Sequence, residues 1–380
     1  MTAALFFLRR FSAPRCPRAL KKFARRFPRL APNFRFFARK QKQCLPFKSC
    51  KPLTEIRLTL RRHIFYNVAM ELKDKIIERL LVGDASGEQL GIKFGVSRAA
   101  VNKCVKKLRE EGYDIEAAAG RGYRLNNTDV LSAARVRKYL NTEWEVQTLS
   151  ETTSTNDVAK KAAALGKRDF AVIAERQSAG RGRLGRSFAS PSGKGLYMSA
   201  VVRPCLTLSD CGKITAFVAV AAAKAVEGLC GKRVEIKWVN DLYMDGKKIC
   251  GILTEGGMGL EGGSLEYAAV GIGINVAKNS FPPELAKIAT DVETSSGKRI
   301  DRCELAAAVL DGLKNLERGI KSGEFLNEYK SRSCIVGKEV IVNGDYAATA
   351  LCIDDDCSLW LEKDGKKIKF SAGEVSLKIK

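Results

Sequence analysis

Histidine is nearly missing from this chain: His63 is the only one in 380 residues. The twelve cysteines do not make up for it, since no two stand as a C-x-x-C pair. Zinc is usually held by clustered Cys and His, so a zinc centre is not expected. Cysteines in apolar contexts, such as Cys104 and Cys250, read as buried reduced thiols of a cytoplasmic protein. Long apolar runs are missing too. A membrane helix needs about 20 apolar residues, and the longest run here, near Ile214–Val226, is preceded by Lys213 and interrupted by Lys224. It reads as a buried helix, so no membrane partner is expected.

Acidic residues are almost absent from positions 1–69, which hold 18 Lys and Arg against Glu55 alone, a net charge of +17 out of the chain's +24. The other 311 residues carry only +7, so the basicity says little about the folded part. Three readings compete for the segment: an organellar targeting peptide, a basic arm for nucleic acid, or upstream sequence preceding a true start at Met70. The last is favoured, because composition changes abruptly at Met70 and an amphipathic helix begins at once. Such a segment is expected to be disordered. The remaining length allows two or three domains.

Ile76, Ile77, Leu80 and Leu81 predict one apolar helical face, ended by Gly83-Asp84. Ser86 and Gln89 stand at capping-box spacing, opening a short helix to Phe94. Gly95-Val96-Ser97 is a tight turn, and Ser97 caps a third helix with Val101, Val105 and Leu108 facing inward. Its outer face carries Arg98, Asn102, Lys103, Lys106 and Lys107. Two short strands around Ile115 and Tyr123, joined by Gly120-Arg121-Gly122, complete a winged helix-turn-helix over 70–126. The second motif helix of that pattern enters the DNA major groove, which makes Ser97, Arg98, Asn102, Lys103 and Lys106 candidate DNA contacts. A protein-docking domain with a solvated basic face is the alternative.

Residues 127–333 carry three chemical constellations. Ser154-Thr155-Asn156, at a strand-to-helix junction, can hold a small polar head group, or can be a plain N-cap. Gly180-Arg181-Gly182-Arg183-Leu184-Gly185-Arg186 packs three Gly and three Arg into seven residues. Glycines let backbone approach an anion and guanidiniums grip phosphate, so this loop is expected to stay mobile until a ligand neutralises it; a solvated loop or RNA-binding tract is the alternative. It lacks the Lys-Ser/Thr ending of a P-loop, which disfavours the common NTPases. Third, Lys237-Trp-Val-Asn240-Asp241-Leu-Tyr243 precedes an Asp245-Gly246 hairpin turn that returns Lys248 beside Asn240 and Asp241. Lysine for phosphate charge and aspartate for Mg2+ would serve ATP; a structural ion pair is the bland reading. A later strand, Tyr267–Val276, holds Gly271, Gly273 and Asn275, and its glycines suggest close approach by a ligand or another strand.

In order and spacing, the GRGRLGR loop and the KWVNDLY, KKICGIL and GIGIN strands resemble the catalytic domain of biotin protein ligases. Preceded by a winged helix, residues 71–380 resemble the bifunctional bacterial biotin ligase and biotin-operon repressor, the biotin–[acetyl-CoA-carboxylase] ligase family. The resemblance implies an α+β multidomain protein: winged helix-turn-helix at 70–126, a mixed α/β catalytic domain of class II synthetase type at 127–333, and an SH3-like C-terminal β-barrel at 334–380. The last agrees with short alternating segments at Val340–Val342, Ala350–Ile353, Ser358–Leu361, Lys367–Phe370 and Val375–Leu377; an independent peptide-binding domain is the alternative.

The implied activity joins biotin to ATP as biotinyl-5′-AMP and passes it to a lysine of the carrier domain of acetyl-CoA carboxylase. Ser154, Thr155, Asn156, Gln177, Gly180, Arg181, Gly182, Arg183, Lys248 and Gly251 would bind biotin. Arg183, Arg186, Asn240 and Asn275 would bind the nucleotide, and Lys248, Arg181, Arg183 and Asp241 would be catalytic, with Mg2+ at Asp241. The adenylate would act as corepressor, favouring a homodimer on operator DNA. A biotin-sensing repressor without catalysis and a lipoate ligase are the competing functions. Two departures from the family pattern stand out: Phe188 where Trp is usual, and Val239 where Pro is usual.

Overall fold

A computed structural model describes residues 72–379, apart from 119, 127, 259–264, 279–280, 282 and 372–376. The basic segment 1–69 and its expected disorder lie outside the described residues, as does Met70.

The chain opens with helix α1 (72–82), which buries Ile76, Ile77 and Leu80, while Leu81 is only partly covered. At α2 (Gly87–Phe94) the capping box is complete: Gln89 N donates to Ser86 Oγ at 3.1 Å, and Ser86 N donates to Gln89 Oε1 at 2.9 Å. Gly95, at φ 66°, ends α2 in the left-handed region, where a glycine costs least. Replacing Ser86 with Ala should cost about 1 kcal/mol, read as a lower unfolding midpoint of this region by hydrogen exchange. Ser97 Oγ then accepts from Ala100 N and caps α3 (Arg98–Glu110), which buries Val101, Cys104, Val105 and Leu108. Strands β1 (Ile115–Ala118) and β2 (Gly122–Leu125) form an antiparallel hairpin. Three helices and a hairpin are the winged helix-turn-helix arrangement expected.

Helix α4 (Ala133–Tyr139) belongs to two cores at once. Ala134 packs into the helix-turn-helix core, while Ala133 and Val136 pack into the main one.

The main sheet has seven strands in the order β3 (Glu145–Thr152), β4 (Phe170–Gln177), β5 (Gly195–Val202), β9 (Leu265–Asn275), β8 (Lys247–Met258), β7 (Asp241–Met244) and β6 (Glu235–Lys237). Only β3 and β4 run parallel. One face is covered by α6 (Leu208–Cys230), the expected buried helix, and by α8 (Arg302–Leu313), in a continuous apolar cluster. The other face is covered at one end by α5 (Thr155–Ala164), whose Ala159, Ala162 and Ala163 pack on Phe170, Val172, Val201 and Ala269. The rest of that face is left for the arginine-glycine loop and the site. A short α7 (Val292–Ser296) precedes α8, and α9 (Leu316–Ser322) and α10 (Phe325–Ser331) follow it.

The C-terminal strands β10 (Glu339–Val342), β11 (Tyr346–Ile353), β12 (Leu359–Lys363), β13 (Lys366–Phe370) and β14 (Leu377–Ile379) form one antiparallel sheet in the order β13-β12-β11-β10-β14. The expected barrel is not closed: among the described residues no pairing joins the outer strands β13 and β14. This sheet does not bury its apolar face alone. Val340, Val342, Ala350, Leu359 and Leu361 belong to the same apolar cluster as the seven-stranded sheet, and Trp238 Nε1 donates to the Cys357 carbonyl at 2.9 Å.

Cys104, Cys230, Cys250, Cys303, Cys334 and Cys357 are buried free thiols, Cys211 is partly covered, and Cys205 and Cys352 are exposed. No described helix is long and apolar enough to cross a membrane.

Candidate active site

Register across the sheet builds the site. Lys237, Asp241, Gly251, Gly273 and Tyr197 are successive cross-strand partners on β6, β7, β8, β9 and β5, so their side-chain positions share one row on one face. The neighbouring row runs through Leu253, Gly271 and Ser199. Three glycines therefore lie side by side as a bare floor.

At Gly271 the floor meets polar side chains. Ser199 Oγ donates to Thr155 Oγ1 at 2.8 Å and lies 2.6 Å from Asn156 Oδ1. The Gln177 carboxamide accepts from Thr155 N at 2.9 Å and donates to Ser190 Oγ at 2.9 Å. Asn156 Nδ2 donates to Glu255 Oε2 at 2.8 Å. Ser154, Thr155 and Asn156 are all at least nine-tenths buried. Ser154 sits at the N-cap of α5 but makes no side-chain cap bond, so capping does not account for this hydroxyl. A Cβ on Gly271 would collide with the Asn156 carboxamide.

At Gly273 the neighbour changes to an aromatic ring: a Cβ there would lie 2.7 Å from Phe188 Cε1. Phe188 packs edge-on against Tyr197, with centroids 6.4 Å apart. At Gly251 the ring shares the space with Lys248, whose Nζ would stand 3.3 Å from a Cβ. The expected close approach to the strand glycines is thus made here by side chains.

The charged end follows. Asp245 (φ 51°) and Gly246 (φ 73°) form the hairpin turn, and Lys248 Nζ bonds Asp241 Oδ1 at 2.7 Å. Arg183 Nη1 donates to Asn240 Oδ1 at 2.9 Å, and Asn240 Nδ2 donates to the Ile252 carbonyl. Arg183 Nη2 is buried with no partner among the described residues, and burial pulls this guanidinium below its usual pKa, opposed mainly by Asp241. Lys237 is likewise lowered by burial, again against the pull of Asp241. A buried donor without an acceptor is expensive, so this end is poised for an anion.

The arginine-glycine loop carries hydrogen bonds of its own. Gly182 N donates to the Arg186 carbonyl and Phe188 N to the Gly180 carbonyl, around a short 3-10 turn at Arg183–Gly185. A Cβ on Gly180 would lie 2.5 Å from the Phe188 carbonyl oxygen. Arg181 pairs with Asp157 at 2.5 Å and with Glu255 at 3.7 Å. These two carboxylates, which the local sequence does not announce, counter the Arg181 charge from within the chain. Burial pushes Glu255 up, but hydrogen bonds from Lys160 and Asn156 outweigh it and hold the carboxyl below its usual range.

The structure thus brings Thr155, Asn156, Gln177, Gly180, Arg181, Arg183, Asn240, Asp241, Lys248 and Gly251 around one floor. Asn275 Nδ2 donates to the Thr290 carbonyl at 3.2 Å. Sequence reasoning missed Ser199 and Glu255. Ser199 is a hydroxyl inside the otherwise apolar strand Gly195–Val202, and that was the available signal; Glu255, beside Thr254 on a strand that also begins with two lysines, carried no such signal. The donors near Asp241 do not fit a resident Mg2+: its carboxylate is held by Lys248, Asn240 by Arg183, and among the described residues no group of three or more potential ligands gathers.

On α3, Arg98, Asn102, Lys103 and Lys106 are exposed along one face. Ser97 is exposed as well, but its hydroxyl is committed to the cap.

A sheet with a glycine floor running from a polar pocket to a Lys-Asp-Arg group, joined to a helix-turn-helix, defines a small-molecule-binding α/β domain coupled to a DNA-binding module. Residues 148–275 match the model of the Biotin/lipoate A/B protein ligase family, and residues 73–124 match an HTH domain. The bifunctional ligase/repressor BirA of Bacillus subtilis is 35% identical over 305 residues, covering 77% of this chain and 93% of that protein. The Escherichia coli protein of that name is 32% identical over 314 residues, covering 80% and 96%. Among solved structures, the biotin protein ligase of Aquifex aeolicus in complex with biotin and ATP matches with a TM-score of 0.54 at 27% identity, over 62% of this chain and 99% of that one. The chain belongs to the family of bifunctional biotin ligase/repressors.

Proposed function

We propose that this chain is a biotin protein ligase and a DNA-binding repressor of biotin-linked genes. One observation carries the ligase reading: the floor passes from a polar pocket at Gly271, past an aromatic wall at Gly273, to a cationic end at Gly251 and Lys248. Biotin has the same order, with a ureido head, an apolar chain and a carboxylate. From the strand spacing and the rise per residue, the two ends lie roughly 8 Å apart.

In this reading Thr155, Asn156, Ser199 and Gln177 exchange their mutual hydrogen bonds for the ureido group, and Phe188 flanks the chain. Lys248 and Arg183 draw the carboxylate and the ATP α-phosphate together. A carboxylate oxygen attacks the α-phosphorus and the bond to the β-phosphate breaks. Pyrophosphate leaves, and biotinyl-5′-AMP remains. The amine of a carrier-domain lysine then attacks the acyl carbon, AMP departs and the amine gives up a proton. Positioning and charge neutralisation do the work. Arg181 and the loop from Gly180 to Arg183 cover the mixed anhydride and keep water away. Arg186, Asn240 and Asn275 lie on the nucleotide side. Mg2+ would enter with the triphosphate rather than be held by the chain.

The remaining parts follow the same scheme: domains at 70–126, 127–333 and 334–380, a class II synthetase-type catalytic fold, an SH3-like C-terminal module, and an adenylate-favoured homodimer on operator DNA in the cytoplasm. Lipoate is the poorer substrate, because a dithiolane ring leaves the four polar side chains at Gly271 unanswered. A sensor without catalysis would not need Lys248 paired to Asp241 at the end of the floor. Mass spectrometry of a biotin carrier domain incubated with the protein, biotin and ATP tests the reading. A gain of one biotinyl group is expected, and no gain with no pyrophosphate release overturns it.

Gly271→Ala gives a sharper check of the pocket. Its methyl must push Asn156 aside, and losing that amide's hydrogen bonds costs about 1–3 kcal/mol. Calorimetry should show biotin affinity falling roughly tenfold or more.

A further inference from the structure

We propose that Tyr123 fixes the Asn102 side chain so that the recognition helix offers a donor-only amide edge, and that this edge selects guanine at one position of each operator half-site. The inference rests on the DNA-binding reading above and specifies what that face recognises.

Asn102 lies in the second turn of α3, exposed and flanked by exposed Arg98, Lys103 and Lys106. The hydroxyl of Tyr123, from the wing strand β2, donates to Asn102 Oδ1 at 2.6 Å. Asn102 Nδ2 has no partner among the described residues.

Tyr123 is itself held rigidly. Its N donates to the Ala85 carbonyl at 2.9 Å, and Ala85 N donates to the Tyr123 carbonyl at 3.1 Å. The preceding Gly122 has φ 96°, and a Cβ there would collide with Ala85 and Ser86, so only glycine lets the wing come this close. Gly87 completes the junction: a Cβ on it would touch Arg98, Asn102 and Tyr123 at 3.4–3.6 Å. The wing is therefore pinned to the α1–α2 connection, and through its phenol it sets the rotation of one amide on the recognition helix.

That rotation has chemical content. A freely turning asparagine reads adenine through two bonds, accepting from N6 and donating to N7. With Oδ1 turned to the wing, the outward edge consists of N–H bonds alone. In the major groove, guanine offers two adjacent acceptors, N7 and O6, whereas adenine places a donor beside its acceptor. A donor-only edge fits guanine and meets a like group on adenine. Tyr123 is thus a positioning residue, and Asn102 makes the contact.

The test is selection of binding sites from a randomised duplex library by the full-length protein with biotin and ATP, for wild type, Asn102→Ala and Tyr123→Phe. Wild type should enrich guanine at one position per half-site, with roughly tenfold discrimination. Asn102→Ala should lose the preference at that position alone, and Tyr123→Phe should shift it toward adenine while overall affinity stays within a few-fold. A structural role for Tyr123 would lower affinity without changing the preferred base. The proposal is overturned if Tyr123→Phe selects the wild-type sequence, or if Asn102→Ala weakens all sequences equally, as a phosphate contact would. If wild type binds no duplex at all, the DNA-binding reading falls and this inference with it, while the ligase reading is untouched.

Discussion

Lys248→Ala is expected to slow biotinyl-5′-AMP formation by about two to three orders of magnitude while the protein stays folded. The size follows from losing one preorganised charge at a site where charge moves during the reaction, a loss worth about 3–4 kcal/mol in comparable sites. The Lys248–Asp241 pair contributes little to stability, because the side chains are 32% and 21% exposed and such pairs are worth about 1 kcal/mol or less. Removing the lysine has a second effect: it leaves the Asp241 carboxylate bare beside the incoming phosphate. Lys248→Ala combined with Asp241→Asn should therefore recover part of the rate lost by the single variant. Pyrophosphate release in a single turnover, beside a thermal melt, measures both quantities. A rate within tenfold of wild type would remove Lys248 from the chemistry.

The pairing behind this prediction was legible in the sequence because it is local. Asp245-Gly246 dictates a two-residue turn, and a tight hairpin fixes which residues face each other within a few positions. The same holds for the caps at Ser86 and Ser97, where a hydroxyl just before the helix accepts from the backbone N–H three residues on. What could not be read are long-range placements. Asp157 and Glu255 tie down Arg181 from a helix and from a strand about seventy residues beyond it. Their positions depend on strand order, β9 lying between β5 and β8, and no local pattern encodes that order. Phe188 over two glycines is a similar case: the glycines announced a close approach but not what approaches. The open C-terminal sheet departs from expectation for a related reason. Its alternating segments specify strands, while closure depends on whether its outer strands meet, and part of its apolar face is instead spent on the main core.

Arg302→Met is expected to destabilise the protein by about 3–5 kcal/mol, the cost of breaking a buried ion pair from one side. Arg302 is 2% exposed. Its guanidinium donates to Glu175 Oε1 at 2.9 Å, to the Gly195 carbonyl at 3.2 Å, and to the side chain and carbonyl of Asp129. Glu175 Oε1 also accepts from Gly193 N, while its Oε2 is buried without a partner among the described residues. Without Arg302 this carboxylate keeps one backbone donor and loses its one ionic partner among the described residues. The melting temperature should fall by on the order of 10 °C. Pairing Arg302→Met with Glu175→Leu should restore part of the loss, because removing both partners avoids stranding a buried charge; equal loss in the single and double variants would mean that packing, not charge, dominates. The consequence reaches the site. Glu175 lies two residues before Gln177 on β4, and Gly193 ends the segment that carries Phe188. Arg302 therefore anchors both walls of the pocket from beneath, and its neighbour Asp301 pairs with Arg135 of α4 at 2.5 Å. A variant still folded at low temperature should show biotin affinity and thermal stability falling together, since one buried guanidinium supports the strand, the loop base and the helix shared with the DNA-binding core.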